Sequence, residues 1–134
     1  MTDKTIGMAK RRSILVQLFY RYLLMEANED FIKQDLLDET QVFLDEETLQ
    51  LATQLATELP NLKQEAEKHL SQEWKWGRLP YLVQAILLVG TFEIQMTNTP
   101  KPVTLNEMTE LAKNYGLDQH WKFINALLEK INKI

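Results

Sequence analysis

The segment from Leu79 to Met96 constrains the fold more than any other, because its apolar side chains would cover every side of a helix. At 100° per residue, Leu82, Ile86 and Val89 share one side, and other apolar residues fill the remaining sides. A helix of this kind belongs in the middle of a protein, packed among other helices. Gly90 costs it about 1 kcal/mol relative to alanine, which predicts a close crossing with a neighbouring helix.

Periodic apolar positions predict seven helices, and no stretch has the alternation of a strand. The helices are predicted from about Met8 to Ala27 with an end near Asn28, within 30–40, from Asp45 to Pro60, from Leu62 to Trp74, from Leu79 to Met96, from Thr104 to Gly116, and from a cap at Asp118 to about Ile131. The fold class is therefore all-α. A chain of 134 residues with 45% hydrophobic residues suits one compact unit or two small helical subdomains.

Several residues are predicted to start or stop these helices. Asp45 is a predicted N-cap, because its carboxylate can accept a hydrogen bond from a free backbone N–H at the helix start. Pro60 is predicted to end a helix, since it lacks an N–H group. Thr104 and Glu107 have the spacing of a capping box, with Thr104 at the N-cap. Gly116 is predicted to close the same helix at its C-terminal end.

Charge is distributed unevenly along the chain, although the net charge is only −4. Residues 26–58 hold ten acidic residues against Lys33 alone. The basic residues of the first 22 positions, which face only Asp3 as a local acid, are Lys4, Lys10, Arg11, Arg12 and Arg21. Net acidity argues against nonspecific coating of nucleic acid. From residue 59 onward the charges nearly cancel, so the basic start of the chain is the part where charge predicts an anion site, on the first helix. An ordinary solvated terminus explains the same pattern.

One sector of the first helix is polar, and we call it the polar strip: Lys10, Ser13, Gln17 and Arg21. The other sides of this helix are apolar, so the strip is the face predicted to meet water or a ligand. Arg11 and Arg12 project elsewhere. Because they lie in the first turns, their long side chains can still curl round to one anion, provided that packing does not lock this end of the helix.

A signal peptide and a membrane span are not predicted. Residues 1–9 lack the apolar stretch of a signal peptide, and Gln84 and Glu93 interrupt the most apolar segment. The chain has no cysteine, so packing alone must hold its core, and a reducing compartment is allowed. We expect a soluble cytoplasmic protein.

Candidate catalytic residues are few. The histidines are His69 and His120, and the acidic residues fall mostly on helix faces predicted to be solvated. The sequence contains no HExxH motif, no glycine-rich phosphate loop and no GxSxG motif. We therefore expect a protein that is not an enzyme and that carries no metal or cofactor.

A set of short motifs stands in a fixed order through the second half of the chain: Arg78-Leu79-Pro80, Ala85-Ile86-Leu87, Asn106-Glu107, Glu110-Leu111-Ala112-Lys113, Gly116 and Lys122-Phe123-Ile124-Asn125. Together with the segment from Lys10 to Tyr22, these motifs resemble the signature of the transcription antitermination factor NusB family. The resemblance covers both ends and most of the length. The acidic middle, roughly residues 28–60, matches only in being helical and variable.

The resemblance implies an all-α fold of two helical subdomains, here residues 1–76 and 77–134, within one domain overall. It implies binding to the boxA element of nascent ribosomal RNA transcripts, together with the small-subunit ribosomal protein that doubles as NusE. The pair joins an antitermination complex on RNA polymerase, and no enzyme activity is implied. Some relatives pair as homodimers that cover the RNA face, so monomer and homodimer both stay open.

The resemblance also assigns site residues by position. The RNA-binding set is Lys10, Arg11, Arg12, Gln17, Tyr20 and Arg21. The partner-binding set is Asn106, Glu107, Lys122 and Phe123. Cations and π faces of this kind recognise single-stranded RNA. Helical geometry alone favours a core position for Tyr20, and Phe123 lies on the flank of its helix's apolar stripe.

Departures from the family pattern support a second hypothesis. Met8 and Ala9 stand where the family often has arginines, which predicts weaker RNA binding or a shallower salt dependence. In the central helix, Val83 and Leu88 replace polar residues of the family, which predicts a more apolar, self-associating surface. The alternative function is a NusB-like helical module that acts through protein partners, with weak or no RNA binding.

Overall fold

The computed structural model describes residues 7–38 and 44–134, and every regular element in this part of the chain is a helix. The elements are α1 (Met8–Leu24), α2 (Glu29–Asp38), α3 (Glu46–Glu67), a short 3-10 helix (Trp76–Arg78), α4 (Tyr81–Met96), α5 (Lys101–Asn114) and α6 (Trp121–Glu129). The predicted all-α class is confirmed, with six α-helices within residues 7–38 and 44–134 where the sequence predicts seven helices. Asp3, Lys4 and the last two residues of the predicted helix within 30–40 lie outside the described residues.

Helix α4 is the centre of the molecule, as its sequence predicts. It packs against α1, α3, α5 and α6, and every residue from Val83 to Ile94 is buried. The predicted close crossing at Gly90 is confirmed, because a Cβ atom at this position would lie 2.8 Å from Cδ1 of Leu128. Val83 and Leu88 are buried within the chain, so the prediction that they form an exposed apolar surface is wrong.

Helix α3 contradicts the prediction of a stop at Pro60, because this 22-residue helix continues through the proline to Glu67. A proline inside a helix costs about 3 kcal/mol, since one backbone hydrogen bond is lost and the ring crowds the preceding turn. Buried apolar residues lie on both sides of it, Leu55 before and Leu62 after, while the proline ring itself is exposed. Burial of the continuous apolar stripe therefore outweighs the local cost of the proline.

Two helix ends differ from the sequence prediction because the chain uses other residues for them. Helix α1 ends at Leu24, and Glu26 adopts the left-handed conformation with φ of 52°. Asn28 instead begins α2, where its side-chain oxygen accepts a hydrogen bond from the Phe31 backbone at 2.8 Å. Helix α6 begins after His120, with no side-chain cap, so the predicted cap at Asp118 is wrong.

Two other predicted helix ends are confirmed. Asp45 caps α3, since its carboxylate accepts a hydrogen bond from the Thr48 backbone N–H at 3.0 Å. Gly116 has φ of +76° just after α5, and the Leu117 N–H reaches back to the Ala112 carbonyl at 2.9 Å. This is the glycine-ended turn that satisfies the last carbonyl groups of a helix.

The predicted capping box at the start of α5 is wrong. The helix begins at Lys101, three residues earlier, after Pro100 and with Pro102 in its first turn. Proline suits these positions because their N–H groups have no helical partner. The Thr104 side chain is thereby free for another role, and its hydroxyl donates a hydrogen bond to the buried carboxylate of Glu93.

Glu93 joins three helices through its carboxylate. The Nε atom of Arg12 on α1 lies 2.8 Å and 3.0 Å from the two carboxylate oxygens of Glu93 on α4. The hydroxyl of Thr104 on α5 donates to the same carboxylate. Both ends of the ion pair are nearly inaccessible, so neither charge can exchange its partner for water. The relative positions of α1, α4 and α5 depend on this cluster.

The division between residues 76 and 77 falls inside the 3-10 helix. Helix α4 packs against α1 and α3, which precede this division in the sequence, and against α5 and α6, which follow it. The two predicted subdomains therefore share one core. Their existence as separate units stays a prediction. Across residues 7–38 and 44–134, no helix combines the length and apolarity needed to cross a bilayer.

Two buried threonines should respond differently to substitution by valine. In the described part of the chain, the hydroxyl of Thr91 is buried without a hydrogen-bond partner, whereas Thr104 donates to Glu93. Thr91→Val should leave the free energy of unfolding unchanged or raise it by up to about 1 kcal/mol, because no hydrogen bond is lost. Thr104→Val should lower it by about 1–3 kcal/mol, since a buried carboxylate loses a donor. Urea unfolding followed by circular dichroism measures both, and equal effects would contradict the roles assigned to the two hydroxyls.

Candidate nucleic-acid interface

The polar strip of α1 lies on the surface, as the sequence predicts. Lys10 and Gln17 are exposed, and Ser13 and Arg21 are partly exposed. The remaining sides of α1 are packed against α3 and α4, so this strip is the face of the helix open to a ligand. Among residues 7–38 and 44–134, no ion pair includes Lys10.

A residue of α5's C-terminal end extends the strip. The Tyr115 hydroxyl lies 3.3 Å from the Ser13 hydroxyl, and the Gln17 amide nitrogen lies 3.2 Å from each of these two oxygens. Sequence reasoning missed Tyr115, because nothing in the local pattern before Gly116 shows that this ring reaches a helix about 100 residues earlier. The strip and Tyr115 together carry two hydroxyls, one amide and the Lys10 ammonium, which pairs with no acid among residues 7–38 and 44–134.

Arg21 is the second cation of the strip, and its charge is partly offset. Its guanidinium lies 3.4 Å from the carboxylate of Asp35 on α2. The same carboxylate accepts a hydrogen bond from the Tyr22 hydroxyl at 2.6 Å. Burial, and then this hydrogen bond, raise the pKa of Tyr22 well above its ordinary value, so the hydroxyl keeps its proton and donates. A polyanion at Arg21 would have to compete with Asp35.

Arg11 is not part of this surface, which corrects its place in the predicted RNA-binding set. Its side chain is only 3% exposed, and its Nε atom donates to the Thr48 hydroxyl at 2.9 Å. The outer nitrogen lies 3.2 Å from Asp45 and 3.4 Å from Glu47, both at the start of α3. Hydrogen bonds from Thr48, and then from Arg11, hold the pKa of Asp45 below its usual range. Helix packing locks this side chain inward.

Arg12 is also internal, at 4% exposure, so its predicted curl toward an outside anion is wrong. Besides its pair with Glu93, one of its terminal nitrogens lies 3.6 Å from the carboxylate of Glu107 on α5. Two acidic partners already surround this guanidinium. The physical reason is that a buried carboxylate needs a cation beside it, and Arg12 is the cation that α1 supplies.

Tyr20 is neither fully buried in the core nor fully exposed to a ligand. It is partly buried and packs against the edge of the core, next to the exposed strip. One part of its ring therefore contributes to the core, and the rest meets solvent. Stacking of an unpaired base on the accessible part stays a prediction.

The predicted partner-binding residues form two separate areas. Asn106 and Glu107 lie in the first half of α5, where Asn106 is exposed and Glu107 faces Arg12. Lys122 and Phe123 lie in the first turn of α6. This turn lies beside the last turn of α5, where Lys113 contacts the Trp121 ring. Asn106 and Lys113, which lies at that end of α5, are seven positions apart, a rise of about 10 Å along the helix.

The second of these areas is rich in aromatic rings. The rings of Phe123 and Trp74 have centroids 5.6 Å apart, and Trp74 is 47% exposed. The ammonium groups of Lys113 and Lys122 lie 4.3 Å and 5.5 Å from the centroid of the Trp121 ring. Aromatic residues are enriched at protein interfaces, so these rings are consistent with a partner role for Phe123. The partner role of Lys122 stays a prediction.

The chain is similar to known proteins over nearly its whole length. Residues 9–133 match a family model described as the NusB family. A transcription antitermination protein NusB from Campylobacter lari is 37% identical over 124 residues, covering 91% of this chain and 92% of that protein. One from Wolinella succinogenes is 31% identical over 125 residues, covering 92% of each. The solved structure of T. maritima NusB has a TM-score of 0.79 at 20% identity, over 96% of this chain and 92% of that one, and so shares its fold.

Substitution of Arg12 should separate its internal role from that of a surface cation. Arg12→Met should lower the free energy of unfolding by about 3–5 kcal/mol, because Glu93 would stay buried without its partner. Lys10→Met, a matched change of an exposed cation on the same helix, should alter it by less than about 0.5 kcal/mol. Chemical denaturation of both variants provides the measurement. Equal stability of the two would mean that Arg12 is solvated.

The low pKa of Asp45 predicts how stability responds to acid. The carboxylate is favoured in the folded state, so its contribution is present above the unfolded pKa of about 3.9 and is lost as pH falls through the lower folded pKa. Asparagine is an equally good N-cap but has no charge for Arg11. The stability difference between wild type and Asp45→Asn should therefore be largest near neutral pH and shrink below about pH 4. Melting curves from pH 7 to pH 2 test this, with exposed Asp118→Asn as the control that should track wild type throughout.

Proposed function

The chain belongs to the NusB family, and on this basis we propose that it acts in transcription antitermination by binding boxA-type single-stranded RNA of ribosomal RNA transcripts. It does so with the NusE ribosomal protein, within the antitermination complex on RNA polymerase in the cytoplasm. The relatives are named as transcription antitermination proteins, and the proposal contains no catalytic step. The observation that carries it is the exposed polar strip of α1 with Tyr115 beside it.

The strip offers the chemistry that single-stranded RNA needs. The Lys10 ammonium can approach a phosphate without first breaking an ion pair within the described residues. The Gln17 amide and the two hydroxyls beside it can hydrogen-bond to base edges, which unpaired RNA exposes. Tyr20, at the edge of the strip, supplies a π face for a splayed base. The surface thus combines one phosphate contact with groups that read bases.

The small number of cations sets the strength of this binding. With Arg11 and Arg12 inside the protein, Lys10 and the partly neutralised Arg21 are the cations of the strip. Two phosphate contacts would give a salt dependence with a slope of only about −1.4 in log K against log salt. Binding by the chain alone is therefore weak, and the NusE partner adds the contacts that make the complex stable.

A second candidate function is supported by the same loss of surface cations. If the strip holds no RNA, the chain is a NusB-like module that works through protein contacts alone. The aromatic area around Trp74 and Phe123 is the surface that would serve such contacts. Both candidates share the partner, and they differ in whether RNA contacts α1.

Titration of a boxA-type RNA at several salt concentrations separates the two candidates. The wild type should bind at low salt and bind more tightly when NusE is present. Lys10→Ala should weaken binding several-fold and reduce the magnitude of the salt slope by about 0.7, because one phosphate contact is lost. Lys63→Ala removes an exposed lysine from α3 and should bind as wild type does.

The outcomes of this titration are distinct. Equal binding by wild type and Lys10→Ala would rule out the strip as the RNA contact. A wild type that binds NusE but takes up no RNA at low salt, with or without NusE, would leave the protein-partner module as the function. Fluorescence anisotropy of labelled RNA gives all the affinities on one scale.

A further inference from the structure

Ser13, Gln17 and Tyr115 form a closed triangle of hydrogen-bonding groups on the surface. The two hydroxyl oxygens lie 3.3 Å apart, and the amide nitrogen of Gln17 lies 3.2 Å from both. Ser13 and Gln17 are one turn apart on α1, whereas Tyr115 arrives from the end of α5. An exposed glutamine usually samples several rotamers, and holding it in one costs conformational entropy. The tertiary contact from Tyr115 restricts the Gln17 amide in this way.

Counting protons shows which way the Gln17 amide points. The contact between the two hydroxyls requires one of them to donate to the other, which leaves one hydroxyl proton. An amide NH2 group has two protons and can donate to both oxygens, so all three contacts are satisfied. With the amide reversed, its oxygen could only accept, so the two hydroxyl protons would have to serve all three contacts. One of the three contacts would then lack a proton. The nitrogen therefore faces inward.

The inward nitrogen leaves the amide oxygen of Gln17 directed away from the triangle. Across residues 7–38 and 44–134, no hydrogen bond from the protein reaches this oxygen. The side chain is exposed, and Lys10 lies two turns earlier on the same strip. A fixed acceptor thus stands near an ammonium group that can hold a phosphate.

We infer that Tyr115 is a positioning residue that locks the Gln17 amide as a hydrogen-bond acceptor, and that this acceptor selects an unpaired base carrying an exocyclic amino group. This inference rests on the proposed RNA-binding function and adds a specificity to it. Adenine, cytosine and guanine carry such an amino group, whereas uracil lacks one and donates only through its ring N3–H, at a different place on the base edge. If the amide were free to turn over, it would offer a donor as readily as an acceptor, and the selection would be lost.

The test compares base discrimination, not binding alone. A boxA-type RNA is prepared with uridine at each position in turn, and at the sensitive position with a nucleoside that lacks only the amino group, such as inosine for guanosine or purine riboside for adenosine. The wild type should bind one of these replacements on the order of tenfold more weakly, as expected for loss of one base-specific contact.

Tyr115→Phe removes the hydroxyl and keeps the ring. This variant should bind the unmodified RNA within a few-fold of wild type, but should lose most of the discrimination at the sensitive position. Ser13→Ala removes the other oxygen of the triangle and should lose part of it. Tyr81→Phe, a matched change of an exposed tyrosine on α4, should discriminate as wild type does. A purely structural role for Tyr115 would change stability and overall affinity while leaving the ratio between the two RNAs intact.

The possible failures can be told apart. A wild type that binds no RNA overturns the proposed function and this inference together. A wild type that binds RNA but tolerates loss of the amino group at every position overturns the inference alone. Full discrimination by Tyr115→Phe also overturns it, since the hydroxyl would then have no part in the selection.

Discussion

The buried ion pair between Arg12 and Glu93 decides how α1 sits on the central helix, and the exposed surface follows from that placement. Both side chains are nearly inaccessible, and the Thr104 hydroxyl completes the carboxylate's hydrogen bonds. Breaking such a pair leaves an unpaired charge in the interior at a cost of about 3–5 kcal/mol, so rotation of α1 about its axis is strongly disfavoured. With its rotation set, α1 presents one polar strip to solvent and buries the rest.

The same use of arginine shapes the candidate interface. Two of the arginines that make the start of the chain look basic are buried in ion pairs with the protein's own carboxylates: Arg11 with acids at the start of α3, and Arg12 with Glu93 in the core. What remains outside is the Lys10 ammonium, which has no ion pair within the described part of the chain, one offset guanidinium and a cluster of amide and hydroxyl groups. Such a surface is poor in charge and rich in directional hydrogen bonds. It suits recognition of bases within an assembly better than electrostatic capture of RNA by the chain alone.

Much of the fold was predictable because its signals are local. The all-round apolarity of α4, the cap at Asp45 and the turn at Gly116 each depend on residues close in sequence. Gly90 likewise marks a crossing point within α4, although the residue that crosses there, Leu128, comes from another helix. Where prediction failed, a tertiary contact outweighed a local preference. Pro60 predicts a helix stop, but burial of the apolar stripe carries α3 through it. Thr104 predicts a helix cap, but its hydroxyl donates to Glu93 on another helix.

By itself, the sequence determined the helical class, the central position of α4, the family and the strip of α1 that faces solvent, because periodicity and short motifs express these directly. Only the tertiary structure decided which cations stay on that strip and which groups join it. Helical spacing tells where a side chain leaves its own helix, but its partner depends on what another helix brings to the same place. Arg12 thus points inward to Glu93 on α4, and the Tyr115 hydroxyl at the end of α5 contacts the Gln17 amide.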